Sequence, residues 1–542
     1  MRVAVICPPY PLEESPAPPL GVCYVAAAFE TAGAEVKIVD YLVSRYTREK
    51  LKAQLDFFQP DALGSTSVTL NFPGAAEIVQ EAKELRPSLV TMMGGPHVSF
   101  DAENTLRRYP GIDLIVIGEG EATIRELTPL LPDRRAWRRV KGIAYLEDGR
   151  YVQTEPREPI QDLDSLPLPA RHLLNVSRYQ ALGFPVSIIT GRGCPYPCIF
   201  CQGRRMVGKQ VRYRDPVKVV DEIEAILASG FPRINVADDL FVSQKERTRA
   251  VCQEILDRGI QFGWSAFARV NTVDLETLKL MRRAGCDAIS YGLESGNQEM
   301  LNRLRKGITL DMVRRATGMA KEAGLICHGS FMVGLPGETW QTMQDTEDFA
   351  ESLGILYGYH FLAPFPGTTV REEVGNYDLQ ILTDDWTRYD ANSAIVRTSA
   401  LSPEDIERFV AGYMKRTDLL WEEMVRDYHA GTITGDAGLR VLGKYRMEIT
   451  FRLLNEDLIE RFGQFSNGNL GPGAKPPESV LAERITTFTG QDREMTASMI
   501  KEFKGRGCID YRKNGDGLTW FWTHTPKQAF GPFSLTQARL GG

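Results

Sequence analysis

Residues 188–201 read Ile-Ile-Thr-Gly-Arg-Gly-Cys-Pro-Tyr-Pro-Cys-Ile-Phe-Cys. The apolar residues before Thr190 predict a short strand, and the glycines and prolines after it predict a loop rather than a helix. This loop carries Cys194, Cys198 and Cys201, and three soft thiolate ligands within eight residues indicate one metal centre. A closed structural site takes four ligands, so a set of three leaves one coordination position free for chemistry.

Length and composition bound the class of protein. The chain has 542 residues, enough for about two to four domains, and its 43% apolar and 25% charged content is ordinary for a globular protein. A net charge of −6 offers no basic footprint, so we expect no nucleic-acid partner, and no apolar run is long enough to predict a membrane span. Most of the nine cysteines are scattered singly, which indicates free thiols and a cytoplasmic location.

Residues 1–150 alternate short apolar runs with helical patterns. We expect strands at 3–6, 36–39, 61–65, 89–92 and 114–117, and helices at 20–32, 48–57, 72–86 and 122–131. This alternation predicts an α/β fold with a doubly wound, Rossmann-like parallel sheet. Such sheets bind ligands beyond the carboxyl ends of their strands.

Unusual residues fall at that edge of the predicted sheet. They are Pro8, Ser65, Thr66, Ser67, Gly94, Gly95, His97, Gly118, Glu119 and Gly120. Glycines let the backbone approach a ligand closely, and hydroxyl groups can donate hydrogen bonds to it. A dinucleotide site would need a third glycine and a place after the first strand, which residues 118–121 lack. Spacing alone leaves open whether these turns hold a ligand.

A proline-rich connector at 151–185 separates this region from a second run of alternating elements at 186–385. Strands are expected at 186–190, 233–237, 262–268, 288–293, 326–333 and 359–362, with Asp215 and Pro216 opening the helix after the first. Six such units predict a partial barrel of the TIM type, in which functional groups gather at the C-terminal ends of the strands. We expect four aromatic residues of these strands to be barrel core rather than cofactor contacts: Trp264, Phe267, Tyr291 and Phe331.

Polar groups follow five successive strands of this barrel. The cysteine loop follows the first, and the later strand ends carry Asp238 and Asp239, Arg269, Glu294 and Ser295, and residues 334–338. Their convergence predicts one site, although Asp238 and Asp239 could also be a solvated loop pair and Arg269 a structural ion-pair partner. A zinc site completed by a histidine is a poor alternative, because the nearest, His172, lies far from the short spacings of such sites.

The cysteine spacing, Phe200 before the last cysteine and the six strand–helix units resemble the radical S-adenosylmethionine (SAM) superfamily. The resemblance implies a 4Fe–4S cluster on the three cysteines, with SAM chelating the fourth iron. It also implies SAM contacts from Phe200, Asp238, Asp239, Arg269, Glu294 and Ser295. Most members have a Gly-Gly-Glu-like sequence where this chain has residues 236–239, which leaves open which aspartate contacts the methionine amine.

Residues 94–97 and 118–121, ahead of such a barrel, resemble the cobalamin-binding subfamily. The resemblance implies that the unusual residues at the edge of the first sheet bind cobalamin. An Asp-x-His-x-x-Gly motif is absent from the sequence, and His97 is the only histidine in the first 150 residues, so the cobalamin is expected to be His-off.

Beyond residue 385 the pattern becomes helical. Amphipathic stretches at 403–426 and 439–454, within a helical region at 386–465, are expected to cover the barrel mouth. A flexible linker at 466–477 precedes a small winged-helix-like module at 478–542. Its balanced charge favours a docking or lid role over DNA binding.

The resemblance implies a cobalamin-dependent radical SAM enzyme. A low-potential electron donor of the flavodoxin or ferredoxin type would supply electrons for the reaction. The radical formed from SAM would abstract a hydrogen atom from an unactivated carbon of a small-molecule or peptide substrate. Methylcobalamin would then methylate that carbon. Cyclisation or rearrangement without methyl transfer is the alternative. A methylthiotransferase would need more cysteines than Cys7 and Cys23 in the first region, and a cobalamin-dependent regulator would have no use for the cysteine loop.

Overall fold

The computed structural model describes residues 1–11, 17–433, 435–466, 475–515 and 517–523. Most of the linker predicted at 466–477 and the end of the module predicted at 478–542 lie outside the described residues. In the part of the chain that the structure describes, no helix combines the length and apolarity that a membrane crossing requires.

The first part of the chain forms a seven-stranded sheet, here called the N-terminal sheet. Its strands are β1 (Arg2–Cys7), β2 (Glu35–Asp40), β3 (Ala62–Thr66), β4 (Val90–Gly94), β5 (Leu114–Val116), β6 (Ile143–Glu147) and β7 (Arg150–Gln153). Its helices are α1 (Leu20–Thr31), α2 (Arg48–Phe58), α3 (Phe72–Leu85), α4 (Pro96–Phe100), α5 (Ala102–Arg108) and α6 (Gly120–Leu127). The order β2-β1-β3-β4-β5-β6-β7, with β1 to β5 parallel, confirms the doubly wound class.

The antiparallel hairpin β6–β7 was not predicted. Its two-residue turn consists of Asp148 and Gly149, with φ values of 49° and 79°, as a tight hairpin of right-handed twist requires. The Asp-Gly dipeptide between two apolar stretches was the signal for this turn. The hairpin extends the sheet beyond β5 and leaves the carboxyl ends of β1 to β5 free for a ligand.

The second sheet, here called the barrel sheet, follows the linker helix α7 (Val176–Leu182). Its strands are β8 (Val186–Ile188), β11 (Arg233–Val236), β12 (Gly263–Ala268), β13 (Cys286–Glu294), β14 (Ile326–Val333) and β15 (Leu356–Phe361). A two-stranded hairpin of β9 (Gly191–Arg192) and β10 (Arg212–Tyr213) flanks the cysteine loop and the short helix α8 (Gly203–Val207). Helices between the strands are α9 (Pro216–Ala228), α10 (Lys245–Asp257), α11 (Leu275–Arg283), α12 (Gln298–Arg303), α13 (Leu310–Glu322) and α14 (Trp340–Leu353). All six strands are parallel and lie in chain order, as a partial barrel requires.

Side chains of the barrel sheet alternate between two unlike faces. Trp264, Tyr291 and Phe331 are buried under the helices, which confirms them as core. Phe267 lies on the other face of β12 and is 48% exposed, so its assignment to the core is wrong. It shares that face with Ser265, whose hydroxyl donates to Asn235 Oδ1 at 3.0 Å. This face of the barrel sheet therefore carries polar groups as well as an exposed aromatic ring.

The chain then passes through α15 (Thr369–Glu372), β16 (Gln380–Ile381) and β17 (Val396–Arg397) into α16 (Pro403–His429) and α17 (Asp436–Asn455). Helix α16 packs beside edge strand β15, where the ring centres of Phe409 and Tyr359 are 5.4 Å apart. Helix α17 packs at the N-terminal edge of the barrel sheet, where Phe451 stacks on Phe184, just before β8, at 6.3 Å. The prediction that α17 covers the barrel mouth is wrong. The amphipathic pattern of α17 identifies which of its faces is buried, but it does not identify the part of the protein that this face contacts.

The C-terminal module has one more strand than predicted. Helices α18 (Leu458–Phe462), α19 (Pro477–Thr489) and α20 (Arg493–Gly505) accompany β18 (Gln464–Ser466), β19 (Ile509–Asn514) and β20 (Gly517–Trp522), in the order β18-β20-β19. The module also contacts helix α2, which packs on the N-terminal sheet, since Lys50 Nζ lies 2.6 Å from Asp457 Oδ2.

Four buried charges join the N-terminal sheet to the hairpin around the cysteine loop; they are here called the charge quartet. Arg212 on β10 donates from both terminal nitrogens to Glu119, at 2.8 and 2.9 Å. Arg192 on β9 contacts Glu119 at 3.5 Å and Glu121 at 2.6 Å. Every side chain of the quartet is less than 10% exposed. The loop after β5 and the cysteine loop are therefore held against each other.

We expect Arg212→Ala to lower the free energy of unfolding by about 3–5 kcal/mol, because it leaves the Glu119 carboxylate buried without its main partner. Urea titration followed by circular dichroism measures the change. Arg314→Ala, which removes an exposed partner of Asp311, is the matched control and should unfold like the wild type. Equal stability of the two variants would contradict a structural role for the quartet.

Candidate functional site

The cysteine loop is held in shape by backbone contacts. Cys194 N donates to Gly208 O at 3.2 Å, and Cys201 N donates to Cys198 O at 3.3 Å. Gly193 has a φ of 107°, and a Cβ there would lie 2.2 Å from Gln210 O, so only glycine suits this position. All three thiols are free, and Cys201 is exposed.

Arg269 lies directly beside the cysteines. Its Nη1 is 3.7 Å from Cys198 Sγ, and its guanidinium lies 3.6 Å from the centre of the Tyr196 ring. Partial burial raises the pKa of Cys194, which a backbone hydrogen bond at Tyr196 and the positive charge of Arg269 partly offset. Because a metal binds the thiolate form, metal binding at this loop would release the thiol protons.

The donor set suits a cluster better than a single ion. Among the described residues, no three Cys, His, Asp or Glu side chains converge closely enough to surround one metal ion. In a 4Fe–4S cube each thiolate binds a different iron, so its ligands need not share one coordination sphere. Three accessible thiols beside a cationic Arg269 fit such a group.

The two aspartates after β11 point in different directions. Asp238 accepts from Thr190 N at 2.6 Å and from Thr190 Oγ1 at 2.5 Å, and burial raises its pKa to about 6. Asp239 is exposed towards the cysteine loop, where Gly193 N donates to it. Asp238 therefore ties β11 to the start of the loop, and Asp239 is the aspartate that remains available to a ligand.

Glu294 at the end of β13 forms a buried ion pair that the sequence did not reveal. Its Oε1 lies 2.6 Å from Lys306 Nζ, and the side chains are 9% and 8% exposed. Glu294 has a φ of 65°, rare for a side chain of this size, at a register shift between β13 and β14. Such a kink redirects a side chain at a strand end. Lys306 also lies 5.7 Å from the centre of the Phe200 ring, and its carbonyl accepts from Arg269.

Two other strand-end residues support the backbone. Ser295 is fully buried, lies 3.1 Å from Thr346 Oγ1 and accepts from Asn297 N at 3.1 Å. Glu338 accepts from the backbone N–H groups of Gly334 and Leu335, at 2.6 and 3.0 Å, and burial raises its pKa to about 8. Ser295 therefore does not face a ligand, and Glu338 closes the turn after β14.

A cavity of 340 Å³ lies between the two sheets. Its lining includes seven residues predicted at the edge of the first sheet: Ser65, Thr66, Gly94, Gly95, Gly118, Glu119 and Gly120. The barrel side contributes Arg192 and Asp239, and α1 contributes Val22, Val25 and Phe29. The cavity therefore extends from an apolar pocket under α1 to the residue that faces the cysteine loop.

Three residues predicted in this cavity lie outside its lining: Pro8, Ser67 and His97. His97 is fully buried between aromatic rings, stacked on Phe72 at 3.9 Å and edge-on to Trp386 at 4.9 Å. Burial lowers its pKa to about 3, and neither ring nitrogen has a hydrogen-bond partner among the described residues. Helix α4 places this side chain in the aromatic layer rather than in the cavity. Glu119 does line the cavity, but its carboxylate is bound within the charge quartet.

Comparison with known families gives two matches. Residues 14–128 match the model of the B12 binding domain, and residues 188–350 match that of the radical SAM superfamily. The first match begins after β1 and runs through β5 and α6, and the second begins at the end of β8, includes the cysteine loop and ends in α14.

Similar proteins match most of the chain. An uncharacterized methyltransferase of Pyrococcus horikoshii is 33% identical over 72% of this chain and 86% of its own. An anaerobic magnesium-protoporphyrin IX monomethyl ester cyclase of Rubrivivax gelatinosus is 30% identical over 73% of each chain. Among solved structures, the cobalamin-dependent SAM radical enzyme OxsB, with aqua-cobalamin and SAM bound, has the same fold, with a TM-score of 0.67 and 19% identity over 93% of this chain and 78% of its own.

We expect Gly292→Ala to reduce SAM cleavage about ten- to hundredfold. A Cβ at this position would lie 2.6 Å from Glu294 Oε1 and 3.1 Å from Lys306 Nζ, so it would displace the ion pair. The assay is anaerobic 5′-deoxyadenosine formation. Gly358→Ala on β15, where an added Cβ has no neighbour within 4 Å, is the control. Equal rates for the two variants would show that the pair does not position SAM.

Proposed function

Because the chain belongs to the radical SAM superfamily, in the group that also carries a B12-binding domain, we propose that it methylates an unactivated carbon of its substrate through cobalamin. When bound, the cluster supplies the electron that breaks SAM and cobalamin supplies the methyl carrier. We also propose 1–150 and 186–385 as the limits of the two domains, since the family-model matches fall inside them. The observation that most directly supports the proposal is the cavity between the sheets, because residues of both the N-terminal region and the barrel region line it.

Cys194, Cys198 and Cys201 would hold the cluster. Arg269, 3.7 Å from Cys198 Sγ, would stabilise the added negative charge of a reduced cluster. Phe200 and the Glu294–Lys306 pair would bind SAM, with Lys306 near its carboxylate. Asp239 is the better partner for the methionine amine, because hydrogen bonds from Thr190 already occupy Asp238. We assign Ser295 a supporting role only.

The cavity would hold part of the cobalamin. It is too small for the whole cofactor and suits the nucleotide tail, whose apolar base would pack against Val22, Val25 and Phe29. Gly95, with a φ of 100° and no room for a Cβ beside Ser67 O, lets the backbone approach closely. We propose a His-off cobalamin, because His97 is buried among rings outside the cavity.

Radical SAM enzymes need a reductant, and we propose an acidic one-electron carrier of the flavodoxin or ferredoxin type. Arg204, Arg205 and Lys209 directly follow the exposed Cys201, and none has a carboxylate partner within the described ranges. A basic patch beside the cluster would steer such a carrier to it. We propose a small molecule or a peptide as the substrate. We also propose a cytoplasmic location, because all nine cysteines are free thiols.

The test uses the chain reconstituted anaerobically with iron, sulfide and hydroxocobalamin. We expect Cys198→Ala to abolish 5′-deoxyadenosine formation, because the cluster loses a ligand. Cys252→Ala, which removes a buried thiol from α10 away from the loop, should retain it. Cleavage by the Cys198 variant at the wild-type rate would overturn the cluster assignment.

Methyl transfer is distinguished from cyclisation in the same samples. A cobalamin that is remethylated by SAM must release S-adenosylhomocysteine, so we expect this product only from the cobalamin-loaded enzyme. Formation of 5′-deoxyadenosine without S-adenosylhomocysteine would favour the cyclase alternative, which the relative in Rubrivivax gelatinosus supports by its name.

A further inference from the structure

A second cavity, of 730 Å³, lies at the opposite end of the barrel strands from the cysteine loop. Its volume falls within the range of about 300–1,000 Å³ that is typical of small-molecule sites. Three parts of the chain line it: the residues after α7, the starts of β11 and β12, and helices α17 and α20. We call it the basal cavity.

The floor of the basal cavity is apolar. It is lined by Phe184, Phe231, Phe262, Met447, Met499 and Phe503, and little polar surface interrupts them. Apolar surface left in contact with water costs about 25 cal/mol per Å². A ligand with an apolar chain would remove this cost, so the floor favours such a chain.

The rim of the basal cavity carries excess positive charge. Arg440 and Lys444 on α17 are exposed and have no carboxylate partner among the described residues. Two other rim cations share one carboxylate, since Arg446 lies 2.5 Å and Arg506 lies 3.3 Å from Glu502 oxygens. The exposed pair therefore offers an anionic group two charges that form no salt bridge among the described residues, and Lys444 Nζ lies 4.3 Å from the centre of the Trp421 ring.

We propose that the basal cavity binds an amphipathic anion, with its apolar chain on the aromatic floor and its anionic head between Arg440 and Lys444. A carboxylate and a phosphate share this chemistry. The ligand would bridge the barrel sheet and the C-terminal helices, and this site is separate from the proposed methyl-transfer site. A ligand bound there should raise the thermal midpoint of the protein, because it binds the folded state only.

The test uses the chain loaded with cluster and cobalamin, so that the cavity between the sheets is filled. The probe is 1-anilinonaphthalene-8-sulfonate, itself an apolar anion, and the competitors are dodecanoate, dodecyl phosphate and dodecyltrimethylammonium below their micelle concentrations. We expect one saturable site from which both anions displace the probe. The cationic competitor should displace the probe with an affinity at least about tenfold lower than that of either anion. The ratio of the two anions identifies the head group, and equal displacement by the cation would overturn the proposal.

The variant is Arg440→Glu with Lys444→Glu, which reverses both rim charges on the exposed side of α17. This double variant should lower the affinity for both anions about tenfold and leave the rate of 5′-deoxyadenosine formation unchanged. Lys501→Glu, an exposed position on α20 outside the cavity, is the matched control and should bind as the wild type does. Unchanged affinity in the double variant would place the probe elsewhere and overturn the proposal, whatever the fate of the methyl-transfer function.

Discussion

The charge quartet is the contact on which the arrangement of this molecule depends. Its carboxylates lie at the start of α6, where Glu119 precedes the helix and Glu121 is in its first turn, and its arginines lie on the hairpin around the cysteine loop. A buried charge is costly unless it is paired, so the quartet favours the placement of the two sheets that keeps all four charges in contact. That placement opens the cavity of the first sheet towards Asp239, beside the proposed cluster.

Much of the fold could be predicted because the parallel strands of both sheets are mostly apolar runs followed by polar residues. Parallel strands bring their C-terminal ends to one edge, so the cysteine loop, Arg269 and Glu294 could be placed together from chain order alone. Nothing local in the sequence distinguishes Asp238 from Asp239, since their roles depend on which one faces Thr190. The partners of Glu119 and Glu294 were equally hidden, because Arg212 and Lys306 reach them only through the folded chain.

The errors have a common physical origin. His97 lies at the expected sheet edge, but α4 turns its ring into an aromatic layer. Helix α17 is amphipathic as expected, but its apolar face packs at the N-terminal edge of the barrel. A sequence pattern states that a face is buried and does not state against what. The basal cavity forms because α17 packs at that edge. The two ends of the barrel therefore differ in chemistry, since thiols and paired charges lie at one end and an apolar floor with exposed cations lies at the other.

Electron paramagnetic resonance of the reconstituted protein tests most directly whether both cofactors serve one site. An oxidised 4Fe–4S cluster is diamagnetic and a reduced one is paramagnetic, so a nearby cob(II)alamin spin should relax faster once the cluster is reduced. We expect clearly faster relaxation of the cobalt signal in the reduced protein than in the oxidised protein. Identical relaxation in the two states, with both cofactors bound, would place them too far apart to act on one substrate and would contradict the shared site.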